Sequence, residues 1–253
     1  KIFISERSSP YYVWDKKTSF LNRLVYSLRP PDGIIAQTKI AENYQRTYYN
    51  KNSNIKVIPN LLRDVQLYPE IERRNWILAV GRLGDRLKGF DLLLKAYAKI
   101  NSSEWNLVFA GGDEDGQDLK KQAISLGILD KVIFLGKVPD IDKVFATAGI
   151  FVIPSRSEGF PNALCEAMAA GLPCISFDFF AGPREIIRNG IDGVIVQNGN
   201  VNAMAESIQM LIDDEYKRKK LSEQALEIRQ RLNKKRVVQM VASFILGTNE
   251  VKV

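Results

Sequence analysis

Between Trp76 and Val196 the chain alternates two kinds of hydrophobic pattern. Short, almost unbroken apolar runs occupy Trp76–Val80, Leu107–Ala110, Val132–Leu135, Ile150–Pro154, Pro173–Phe177 and Gly193–Val196. Runs of this length, rich in β-branched and aromatic residues, predict central parallel strands whose two faces are both covered. Between them, Phe90–Ile100, Gln117–Leu126, Ile141–Ala148, Pro161–Ala170 and Pro183–Arg188 carry apolar residues at helical spacing. Strand and helix in alternation predict a doubly wound α/β domain with a parallel sheet. Ligands of such sheets sit beyond the carboxyl ends of the strands, so the loops that follow the strands are where chemistry is to be sought.

The flanks differ from this middle part. Lys1–Ser5 and Gly33–Gln37 read as strands, Phe20–Leu28 and Ile40–Tyr49 as helices, and Lys56–Ile58 leads into a turn at Pro59-Asn60. These elements are too few to close a doubly wound sheet. Residues 1–63 are therefore expected to be the C-terminal part of a truncated first Rossmann-like domain, followed by a donor-type domain over 64–232. Past Asn202 the pattern is helical: Ala203–Ile212 is amphipathic, and Asp214–Arg236 reads as one solvent-facing helix with charge pairs four residues apart. The apolar stripe of Val237–Leu246 needs a surface to cover it, and 233–253 is expected to pack back on the first domain.

Charge sharpens the division. Residues 1–63 hold 11 of the 36 basic residues and only 4 of the 29 acidic ones, leaving 25 of each in the rest. A basic first segment suits an anionic ligand or an anionic membrane surface. Its aromatic residues fit helix packing better than base stacking, so nucleic acid is not an expected partner. No run of 18 apolar residues and no secretory leader pattern is present, and Cys165 and Cys174 lack metal-type spacing. The chain contains no histidine, which removes Ser-His-Asp and Cys-His catalysis from consideration and leaves carboxylates, cations and backbone dipoles.

The densest chemical signal runs from Ile153 to Met168. It follows a strand and opens a helix, with Pro161 expected as the first helical residue. Backbone N–H groups around Gly159, Phe160, Asn162 and Ala163, above Leu164, are expected to face an anion at the helix N-terminus. Glu158 and Glu166 flank that position. A carboxylate beside a phosphate needs hydroxyl donors, so Glu158 is expected to hold a hexose and Glu166 a ribose. Val80-Gly81-Arg82 and Lys88-Gly89 supply a close backbone approach and two cations suited to a diphosphate leaving group. Gly111 closes a glycine turn after the next strand, Val138 offers a face to a base, and Gly182-Pro183 starts another helix near the strand ends.

Val80-Gly-Arg82 with Lys88-Gly89, Glu158 and Glu166 separated by seven residues, Gly182-Pro-Arg-Glu-Ile-Ile187 and Asp192-Gly193 together resemble glycosyltransferase family 4. Ile34-Ile-Ala-Gln-Thr38 through Val57-Ile-Pro-Asn60 resembles the end of that family's first domain and the crossover into its second. The resemblance covers about residues 30–230. It implies an α/β fold of GT-B type, two Rossmann-like domains around a cleft, with a nucleoside diphosphate sugar bound by the second domain. It implies catalysis with retention at the anomeric carbon, Arg82 and Lys88 on the diphosphate, Glu158 on the donor sugar, Glu166 on the ribose, and no obligatory metal or cofactor. The Gly-Pro-Arg-Glu-Ile-Ile segment resembles bacterial enzymes that build surface polysaccharide from UDP-sugars on glycan or lipid-linked acceptors. That points to a cytoplasmic protein with peripheral contact at the inner face of the plasma membrane. A sugar-nucleotide epimerase of similar fold, or a non-catalytic sugar-nucleotide binder, is the competing reading.

Overall fold

The computed structural model describes residues 1–7, 16–48, 53–101, 103–112 and 116–248. Its strands are β1 Phe3–Glu6, β2 Gly33–Ala36, β3 Ile55–Val57, β4 Trp76–Val80, β5 Asn106–Ala110, β6 Val132–Gly136, β7 Ile150–Ile153, β8 Cys174–Asp178 and β9 Val194–Gln197. The helices, in chain order, are α1 Lys16–Leu28, α2 Lys39–Tyr48, α3 Phe90–Tyr97, α4 Gln117–Ser125, α5 Ile141–Thr147, α6 Asn162–Ala169, α7 Pro183–Ile186, α8 Val201–Asp213, α9 Glu215–Ala225, α10 Ile228–Arg231 and α11 Lys234–Leu246.

The strands form two parallel sheets, β1-β2-β3 and β6-β5-β4-β7-β8-β9. In the larger sheet the chain starts at the centre, winds outward through β5 and β6, then returns to the other side of β4 as β7. The strand order reverses between β4 and β7, so the crevice beyond their carboxyl ends is where a doubly wound sheet binds ligands. Ile77–Ala79, Leu107–Ala110 and Ile150–Val152 are completely buried, which explains why these strands are apolar without alternation. The smaller sheet has a modest core of Ile34, Ala36, Ala41 and Ile55.

The C-terminal region departs from expectation. Asp214–Arg236 is not one solvent-facing helix: α9, α10 and the first turn of α11 are separate. Leu221, Ala225, Ile228 and Leu232 are buried, so the charged segment carries an apolar stripe at spacings of four, three and four residues. That stripe straps the segment over the C-terminal end of α6, where Arg229 Nε donates to Ala169 O at 2.7 Å and Ser222 Oγ donates to Gly171 O. Asn233 then caps α11 through its side chain. The Phe244 ring of α11 meets Phe3 of β1 edge-on at 5.5 Å between centroids.

Polar bonds tie the smaller sheet to the larger one. The Lys39 amide at the start of α2 donates to both carboxylate oxygens of Glu185 in α7, at 2.9 and 3.0 Å. Gln37 Nε2 donates to Asn60 Oδ1, and Asn60 Nδ2 donates to Asn162 Oδ1 at 3.0 Å, linking β2 through the crossover to the first residue of α6.

Candidate functional site

The reversal point between β4 and β7 gathers most of the side chains the sequence singles out. β4 ends at Val80, and the chain turns through Gly81, Arg82 and Asp85 into a 3-10 turn over Arg86–Lys88 capped by Asp85. Gly89 ends that turn at φ +68° and lies against Pro154 just after β7; a Cβ there would overlap the Pro154 carbonyl oxygen. The close approach brings Lys88 to the loop after β7. The Lys88 stem passes over Gly81, whose Cβ, if present, would lie 3.3 Å from Lys88 Cδ. Lys88 Nζ donates to the Glu158 carboxylate at 2.8 and 3.1 Å. Ser155, 1% exposed, donates its hydroxyl to the same carboxylate at 2.7 Å and fixes its orientation.

Arg156 holds these two loops together, and the sequence reading passes over it. Its guanidinium pairs with both oxygens of Asp91, each at 2.7 Å, and donates to Arg86 O at 2.7 Å. The Arg156 amide donates to Leu87 O at 2.7 Å. The contact with Arg156 holds the Asp91 carboxyl below the usual carboxylate range. Arg82, by contrast, is exposed, and among the described residues it pairs only with Asp85, at 2.8 Å. Arg86 is exposed as well, so the cation that reaches Glu158 is Lys88.

The entry to α6 differs from expectation at three residues. Pro161 is not the first helical residue. With φ −81° and ψ 78° it is the middle of a tight three-residue turn, in which the Asn162 amide donates to Phe160 O at 3.0 Å. The Asn162 amide is thereby removed from the set of anion donors, while its side-chain oxygen is held by Asn60. Among the described residues nothing accepts from the Phe160 and Ala163 amides, and these remain at the positive end of α6. Leu164 is fully buried, and its amide donates to Pro161 O at 3.1 Å, so it belongs to the core rather than to a ligand surface. Gly182, at φ +118°, sits against the Pro161 ring and brings the short helix α7 beside the start of α6.

Glu166 lies one helical turn farther on and is mostly buried. Burial lifts its carboxyl above the ordinary range, with the Arg63 guanidinium pulling the other way. Arg63 belongs to the crossover between the sheets; it approaches Glu166 at 3.2 Å through Nε and 3.4 Å through Nη2, and also pairs with Asp142 of α5. Its role was not visible in the sequence. Gly111 and Gly112, both at positive φ, press on Gly81 and Leu83, and Gly111 N donates to Gly136 O at 2.7 Å. The ends of β4, β5 and β6 thus meet at glycines. Val138 is half-buried in the loop beyond β6. A cavity of about 580 Å³ opens between the crossover, α6 and the smaller sheet, lined in part by Arg7, Asn60, Arg63, Phe160, Asn162 and Glu166.

The site therefore sets a Lys–Glu pair in the loops before the N-terminus of α6, with a second, recessed carboxylate one helical turn on that lines the cavity. The cation and the helix dipole suit negative charge developing on phosphate, and the carboxylates suit hydroxyl donors.

Residues 64–228 match the family model described as Glycosyl transferases group 1. An uncharacterized glycosyltransferase of Haemophilus influenzae is 30% identical over 186 residues, covering 72% of this chain and 52% of the relative. An α-1,4-N-acetyl-D-galactosaminyltransferase of Campylobacter jejuni, named for an undecaprenol-diphosphate-linked acceptor, is 28% identical and covers 87% of this chain and 61% of its own length. The chain thus spans half to three-fifths of these two relatives. Anabaena HepE in complex with UDP superposes with a TM-score of 0.87 at 20% identity, covering 97% of this chain and 72% of that one. The fold is of GT-B type, α/β with parallel Rossmann-like sheets.

Proposed function

Because the chain belongs to the Glycosyl transferases group 1 family, we propose that it acts as a retaining glycosyltransferase of family 4 that uses a UDP-sugar donor. The group transferred is a hexose or N-acetylhexosamine, and the acceptor is a hydroxyl of a glycan or lipid-linked glycan in bacterial surface polysaccharide synthesis. The larger sheet binds the donor, and residues 1–63 belong to the acceptor side. The observation that carries this reading is the Lys88–Glu158 pair at the β4/β7 reversal, beside the N-terminus of α6.

In this reading Lys88, Arg82 and the Phe160 and Ala163 amides stabilise the diphosphate as it leaves, and Glu158 orients the donor sugar. The acceptor hydroxyl attacks from the face the diphosphate vacates, so configuration is retained. Glu166 accepts the ribose hydroxyls, while Gly81, Gly111 and Val138 leave room for the nucleotide. Donors placed on a developing oxyanion contribute about 3–4 kcal/mol each to transition-state stabilisation. The donor is a substrate, and the reading includes no metal or cofactor. Among the described residues no helix is long and apolar enough to cross a membrane. The basic excess of residues 1–63 supports peripheral contact with an anionic cytoplasmic leaflet.

Calorimetric titration with UDP, ADP and GDP, repeated on Glu166→Ala, tests the proposal. UDP is expected to bind selectively and to lose about tenfold or more in affinity in the variant. Equal binding of all three nucleotides, or no change in the variant, overturns the assignment.

A further inference from the structure

We infer that Arg63, in the crossover between the two sheets, is a positioning residue that holds Glu166 charged and oriented for the nucleotide ribose. The inference rests on the reading of Glu166 as the ribose carboxylate and assigns a role to a residue outside the motif segments.

Geometry carries it. Glu166 leaves α6 in a place where little water reaches it; its side chain is 21% exposed. A carboxylate that accepts two ribose hydroxyls has to be ionised, and burial opposes ionisation. Arg63 meets both Glu166 oxygens, Nε with Oε1 at 3.2 Å and Nη2 with Oε2 at 3.4 Å. One is a long hydrogen bond and the other an ion-pair contact, and together they leave lone pairs on both oxygens for hydroxyl donors. The guanidinium is in turn held by Asp142: Nη1 donates to Oδ2 at 3.0 Å and Nη2 to Oδ1. Asp142 cannot rotate away, because the Gln66 amide donates to its Oδ2 at 2.8 Å. The row Gln66–Asp142–Arg63–Glu166 therefore runs from the crossover and α5 into α6, with the carboxylate at its open end.

The other charged and titratable groups around Glu166 do not duplicate this contact. Cys165 on the same helix is fully buried, with its thiol pushed up by burial. Arg231 of α10 is committed to Asp192 and Glu185 O, and Arg229 to Ala169 O and Val65 O. Asp142 carries the same charge as Glu166 and, apart from holding Arg63, opposes its ionisation. Removing the Arg63 guanidinium leaves Glu166 beside a like charge with, among the described residues, no bonded cation.

The test is a double-mutant cycle on UDP affinity, measured by calorimetry on the full chain from pH 5.5 to 8. Arg63→Gln is expected to weaken UDP about tenfold at pH 7.5 and more at pH 5.5, and Arg63→Lys to recover part of the loss. In a Glu166→Gln background, Arg63→Gln is expected to cost less than about twofold. A purely structural role for Arg63 predicts the same loss in both backgrounds and no pH dependence, and that result overturns the inference. If Glu166→Gln alone leaves UDP affinity unchanged, the ribose assignment fails first. If it weakens UDP while Arg63→Gln does not, only the role of Arg63 fails. Thermal unfolding of Arg63→Gln, Glu166→Gln and the double variant establishes that the cycle compares folded proteins.

Discussion

Replacement of Gly89 by alanine isolates what holds Lys88 in place. Gly89 and Gly127 share the same backbone conformation, φ +68°, but not the same surroundings. A Cβ at Gly127 meets nothing within 4 Å, whereas one at Gly89 overlaps the Pro154 carbonyl oxygen and lies 2.9 Å from the Pro154 carbon. The left-handed conformation costs an L residue about 1–2 kcal/mol at either site. Backbone cannot yield as a flexible side chain does, so the overlap at Gly89 adds the cost of overpacking, about 1–3 kcal/mol. Gly127→Ala is therefore expected to lose about 1–2 kcal/mol and Gly89→Ala about 2–5 kcal/mol. At about 2–4 °C per kcal/mol for a chain of this size, the two separate clearly in thermal unfolding. Any shift that relieves the overlap at Pro154 moves Lys88 away from Glu158, so UDP affinity should fall about tenfold in Gly89→Ala and stay unchanged in Gly127→Ala, one pK-scale step of about 1.4 kcal/mol. Equal destabilisation of the two variants, within about 0.5 kcal/mol, would falsify the packing account of Gly89.

Two further outcomes follow from the charges. Arg156→Gln removes the guanidinium that pins Asp91 and the Arg86 carbonyl. Both side chains are about a third exposed, so the stability loss by urea unfolding should be only about 1 kcal/mol, while nucleotide affinity falls more steeply; an unchanged affinity refutes the loop-clamping role. Glu166 has its carboxyl raised by burial, so between the unfolded and folded values the native state binds more protons and loses stability as pH rises. The midpoint temperature of Glu166→Gln relative to the parent should accordingly climb as pH increases from the ordinary carboxylate value of 4.5, and a difference that shrinks with pH contradicts the assigned shift.

Much of the larger sheet is legible in the sequence because burial on both faces leaves a plain mark: an apolar run such as Trp76–Val80 has nothing else to be. Lys88 and Glu158 are legible for a related reason, since each lies in a loop after a strand in a fold that binds ligands there. The misreadings share a cause too. Pro161 looks like a first helical residue by composition, yet the turn at Phe160–Asn162 is decided by ψ, which proline leaves free. The stripe at Leu221, Ala225, Ile228 and Leu232 is hidden by the lysines and arginines between its members. Arg63, Asp142 and Arg156 are beyond reach in principle: each works through a partner 65 to 103 positions away, and no local pattern announces such a pair.

The bond between Lys39 and Glu185 gives the molecule an internal gauge. A helix ordinarily finds its terminal donors a partner within its own stretch of chain; α2 instead has one satisfied by a carboxylate from the other sheet. The two sheets cannot part without uncovering that single amide to solvent. Every opening of the cleft breaks this bond, so hydrogen exchange at the Lys39 amide is expected to quicken as the two halves part.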